Sequence, residues 1–69
     1  MIILSKDKDR IISGVTDFYI KRVERFNIYA TQGDISYLIA RYDTYYDACR
    51  EMEKLFNALK NNEEFYNVD

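Results

Sequence analysis

The apolar residues of this chain change their period within Tyr42-Asp43-Thr44-Tyr45-Tyr46-Asp47-Ala48. Before that stretch they fall at strand spacing; after it they fall at i, i+3, i+4 and i+7. Thr44 followed by Asp47 reads as a capping box, with the hydroxyl accepting from first-turn amides and the carboxylate reaching back. Beyond it Tyr45, Ala48, Cys49, Met52, Leu55, Phe56 and Leu59 form a single apolar stripe. The junction predicts an α+β domain: a small antiparallel meander of four to five strands followed by one C-terminal amphipathic helix packed on one sheet face. The strands fall within residues 1–42, the helix within about 44–60, and a tail covers 61–69.

The chain is 69 residues long and makes one domain. A fold of this size buries only about 60 % of the surface exposed by its unfolded chain, so its core is thin. One cysteine and no histidine remove the internal disulfide and the zinc or Cys/His site as ways to reinforce it. Good packing and oligomerisation remain, and a self-associating protein, a dimer or higher, is expected. No apolar run reaches the ~20 residues of a membrane span. The segment Met1-Ile2-Ile3-Leu4-Ser5-Lys6 lacks the pattern of a signal peptide, which predicts a cytoplasmic protein with no membrane partner.

Turn residues set the expected registers. Ile2-Ile3-Leu4 and Arg10-Ile11-Ile12-Ser13 flank the charged run Lys6-Asp7-Lys8-Asp9 as a short hairpin, and Gly14 marks a corner. A two-residue loop at Gln32-Gly33 pairs Ala30 with Ile35, Ile28 with Tyr37 and Phe26 with Ile39. Near Glu24 a three-residue loop puts Phe18 and Ile20 opposite Ala30 and Ile28. A two-residue loop there would bury Lys21 without a partner, at several kcal/mol. The predicted core is Phe18, Ile20, Phe26, Ile28, Ile35, Tyr37 and Ile39 beneath the helix stripe. Asn61-Asn62 reads as the helix stop. Phe65 and Tyr66 either fold back onto the helix, dock onto a neighbour or belong to a disordered end, the usual fate of such a tail.

The other sheet face is then expected to carry Tyr19, Lys21, Asn27, Tyr29, Ser36, Leu38, Ala40 and Tyr42. One helix covers one face, and this second face is too aromatic for solvent alone. Two readings stand: tyrosines half-exposed for their strand propensity, or a face that a partner covers.

Composition excludes most catalysis. No nucleophile–base pair can be assembled without histidine, and Cys49 lies on the helix stripe, where thiols pack as small hydrophobes. No phosphate-binding glycine motif or calcium-loop spacing occurs. The reading is a protein that is not an enzyme and that needs no metal and no cofactor. Charge is uneven: residues 1–42 carry +2 and residues 43–69 carry −4, for a total of −2. Tyr19, Lys21, Arg22, Tyr29 and Arg41 on or beside the sheet are the candidate ligand- or partner-binding residues, since aromatic rings stack bases and cations meet phosphates. The acidic total argues against a dedicated nucleic-acid binder and leaves a nucleotide-like small molecule or a protein as the partner.

The run Met1-Ile2-Ile3-Leu4-Ser5-Lys6-Asp7-Lys8, the Ile11-Ile12 pair and Arg41-Tyr42-Asp43-Thr44 with Ala48 resemble small phage and prophage accessory proteins of low-G+C bacteria. In those a small meander similarly runs into a terminal helix. The resemblance implies a phage protein acting in the host cytoplasm. Its expected role is non-enzymatic binding that inhibits a host defence factor or sequesters a nucleotide-like ligand. The alternatives are a small nucleic-acid-binding regulator and a purely structural oligomer subunit.

Overall fold

In the computed structural model, which describes residues 1–69, the chain runs β1 (Ile2–Leu4), β2 (Ile11–Ile12), β3 (Asp17–Val23), β4 (Arg25–Gln32), β5 (Ile35–Tyr42), α1 (Tyr45–Lys60) and β6 (Phe65–Asn67). The alternating region forms an antiparallel sheet of order β3-β4-β5. α1 packs across all three of its strands on one face. The α+β architecture is as the change of period predicts, with six strands rather than four or five.

The β3–β4 register follows from keeping Lys21 out of the core: Phe18 pairs with Ala30 and Ile20 with Ile28. The β4–β5 register departs from expectation. The loop residues are Gly33 and Asp34, so Gln32 pairs with Ile35 and Ala30 with Tyr37. Gly33 holds a φ of 62°, and a positive φ at the first of two loop residues is a glycine position in tight hairpins. A bulge between Ile28 and Tyr29 then shifts the pairing to Ile28 with Ala40 and Phe26 with Tyr42. The extra residue is Ile39, 2 % exposed. Ile35, predicted as core, sits at the hairpin mouth and is 56 % exposed.

Thr44 caps α1, its hydroxyl accepting from the Asp47 N–H at 3.1 Å. The far end closes as a Schellman turn with Asn62 at a φ of 56°. There the Glu63 N–H donates to the Ala58 carbonyl and the Asn62 N–H to the Leu59 carbonyl. The buried face is Ala48, Glu51, Leu55 and Ala58. It is rotated from the predicted stripe, so Tyr45, Phe56 and Leu59 are exposed. Small side chains at 48 and 58 let the helix approach the sheet closely, which a face centred on Phe56 would prevent.

The tail is ordered, because the Schellman turn feeds it into β6. β6 pairs parallel with β1, and β1 pairs antiparallel with β2, making a second sheet of order β2-β1-β6. Ile3, Ile12 and Tyr66 lie in register on its inner side. Ile3, Ile12 and Val68 join Ile28, Ala30, Ile39, Ala40, Ala48 and Leu55 in one core. The Lys6 N–H donates to the Ile39 carbonyl at 2.8 Å, tying the two sheets together at the bulge.

Candidate functional site

The face of the β3-β4-β5 sheet opposite α1 gathers four of the five candidate residues. Tyr19 on β3 and Tyr29 on β4 are register partners. Their rings stack with centroids 5.4 Å apart and planes 20° from parallel. Lys21 flanks them on β3, paired across the ladder with Asn27. Arg41 reaches the same face through the bulge. Had β5 kept a straight register with Ile39 facing the helix, Arg41 would share that parity and point at the core. The extra residue reverses the alternation, so Arg41 stands beside Asn27 while Ala40 and Tyr42, expected on the open face, turn to the helix side.

Arg22 is elsewhere. It pairs with Phe26, and its guanidinium carbon lies 5.4 Å from the centroid of that ring on the helix side. Alternation along β3 separates it from Tyr19 and Lys21.

Asn27 belongs to the site and has no place among the sequence candidates, although a polar amide in mid-strand is the signal that marks it. It is 1 % exposed. Its Oδ1 accepts from Arg41 Nε at 3.1 Å, and its Nδ2 donates to the Tyr29 hydroxyl at 3.4 Å. A buried amide that uses both ends is a fixed bracket. It orients the Arg41 guanidinium and the Tyr29 ring together and leaves the terminal nitrogens of Arg41 available. The two ion pairs of the fold, Arg25–Asp43 and Lys54–Asp69, lie away from this face. Lys21 and Arg41 therefore carry no carboxylate partner. Asp7 and Asp9 of the β1–β2 turn share a small pocket with Arg41 and bound the cationic zone on that side.

A second polar cluster surrounds Glu51, which is 3 % exposed. The Tyr66 hydroxyl donates to Glu51 Oε2 at 2.5 Å, and the Tyr42 hydroxyl donates to the Asp69 carbonyl at 2.6 Å. Burial first, and then the Glu51 carboxyl beside them, push both phenols well above their ordinary range. Lys6 stands 4.0 Å from the Tyr42 ring centroid. These groups satisfy one another, and the cluster reads as a joint between α1, β5 and β6.

The third feature is an apolar groove of about 280 Å³ between β3 and α1, bordered by Phe18, Met52, Phe56 and Leu59. Cys49 is half-buried. No group of three or more acidic or thiol side chains converges as metal ligands would. No helix is long and apolar enough to cross a membrane. Comparison with protein-family models, with curated proteins and with solved structures finds no match to this chain.

Proposed function

We propose that this chain is a non-enzymatic binding protein whose open sheet face takes a nucleotide-like ligand. The observation that carries the reading is the Tyr19–Tyr29 stack beside an Arg41 held by buried Asn27. The half-buried ring pair offers an aromatic surface to a base, and an oriented guanidinium with free nitrogens offers paired donors to a phosphate. Lys21 adds a second cation at the β3 end. The phage-accessory setting implied by the resemblance, with a host nucleotide signal or host factor captured in the cytoplasm, belongs to the same proposal. So does self-association, for which the thin core argues.

Calorimetric titration with AMP, ATP and a short oligothymidylate tests it. Saturable mononucleotide binding is expected, weakened about tenfold or more by Tyr29→Ala, since one base–ring stack is worth ~1–3 kcal/mol. Arg41→Ala should weaken phosphate-bearing ligands and leave nucleosides unaffected. No mononucleotide binding, together with oligothymidylate binding that collapses steeply with salt, would favour the nucleic-acid regulator instead. No binding of either would remove the ligand reading.

A further inference from the structure

We infer that β3 pairs antiparallel with β3 of a second copy, about a two-fold axis through Tyr19, to join the two three-stranded sheets into one of six strands. The inference rests on the self-association reading and shares Lys21 with the proposed ligand site. β3 is an outer strand with β4 on one side and no strand on the other. Its free edge is seven residues long, and such edges pair with other chains unless something blunts them. Charge on the edge is the usual protection, and Asp17 and Lys21 supply it here against most partners.

Against a copy of itself the same charges attract. With Tyr19 at the axis, Asp17 lies opposite the partner's Lys21, and Lys21 lies opposite the partner's Asp17. Phe18 lies opposite the partner's Ile20 on the helix side. From Asp17 to Lys21 each directly opposed pair is matched in kind, while Arg22 and Val23 run past the start of the partner's strand, and cross-strand pairs of opposite charge stabilise where like charges repel. A shift of one residue would set Phe18 against the partner's Tyr19 and put side chains of the two faces out of step, and a shift of two in either direction would set Asp17 against the partner's Val23 or Tyr19 and lose both charge pairs. The apolar groove beside Phe18 then lies along the junction, its exposed Phe56 and Leu59 next to the joint instead of at an outer rim. On the open face the stack of two tyrosines becomes a row of four.

Cysteine placement reads the axis directly. In a Cys49→Ala background, Tyr19→Cys should form a disulfide-linked dimer under mild oxidation, because facing residues have Cα atoms about 4.5–5.5 Å apart, within disulfide reach. Asp17→Cys should not, since its own copy lies about 13 Å away along the strand. Sedimentation of the protein without nucleotide gives the second reading. Asp17→Lys should weaken the dimer about tenfold, and Asp17→Lys with Lys21→Asp should restore it. Circular dichroism checks that each variant keeps its fold. A monomer mass for the unsubstituted chain at high micromolar concentration overturns the inference. So does crosslinking through position 17 that matches position 19, or a charge swap that fails to restore a folded variant. Nucleotide binding by a strict monomer would remove this pairing and leave the ligand reading standing.

Discussion

Glu51 is the residue whose role the sequence hides most completely. In a helix written as charged on one side, it looks like one more solvated carboxylate. Its burial becomes affordable only because Tyr66, some distance along the chain, brings a hydroxyl to it. Tyr66→Phe should therefore cost about 1–3 kcal/mol in urea denaturation, by leaving a buried acceptor short of its donor. Replacing Glu51 by Met in the Tyr66→Phe background should recover part of that loss. The phenols also set an alkaline limit. Tyr42 and Tyr66 titrate above their ordinary value of 10.0 in the folded chain, so the stability they contribute is intact below pH 10. It falls as pH rises past that value, where the unfolded chain loses its protons first. Thermal melts between pH 8 and 11 should show this decline, and the Tyr42→Phe, Tyr66→Phe double variant should flatten it. Asn27 is the other hidden residue. Asn27→Ala should weaken phosphate recognition by freeing Arg41, while Tyr19 and Tyr29 still stack.

At the scale of the element, the sequence is explicit about what forms and vague about how it is turned. Thr44 and Asn62 bound α1 where capping chemistry requires, and the loop at Glu24 is set by the penalty on burying Lys21. Helical period alone admits several neighbouring stripes, and large apolar residues pulled the expected face toward Phe56. The actual face is chosen by close approach, which small residues permit. Leu55→Ala should accordingly cost about 2–5 kcal/mol, whereas Phe56→Ala should cost under about 1 kcal/mol for a monomer, as surface changes do. Chemical denaturation of the two variants at low protein concentration separates these faces. The β5 bulge was not legible either, because the continuous apolar run Tyr37-Leu38-Ile39-Ala40 gives no alternation from which to place an extra residue. Its physical signature is Lys6 donating to Ile39 from the other sheet. That is a long-range bond which no local pattern encodes.

For the whole molecule, the change of period was enough to give an α+β domain with one helix against one sheet face. It could not give the second sheet. β2 and β6 are two and three residues long, too short to display a period, and they exist through their partnership with β1. The candidate face was half legible: Tyr19, Lys21 and Tyr29 follow from the β3–β4 register, Arg41 arrives only through the bulge, and Arg22 falls on the wrong side by alternation. Net charge says little about this face, because the acidic surplus resides on the helix half while Lys21 and Arg41 form no ion pair within the chain. Screening should therefore affect mononucleotide binding modestly, by the strength of one or two phosphate contacts.

The parallel pairing of β1 with β6 also orders events in time. The β3-β4-β5 meander and the helix after it close through neighbouring segments, and such local contacts form early. β1 and β2 are neighbours in sequence, but the β1–β6 pair must wait until about sixty residues have been gathered, at a loop-closure cost that only a preformed core can offset. The small sheet is then the last part to assemble and the first to open. Native-state hydrogen exchange should find the amides of Ile3 and Tyr66 released together, at a lower free energy than those of Ile28 and Ala30. A chain whose first and last strands clasp each other thus carries its own latch, set against the same core that backs the open face.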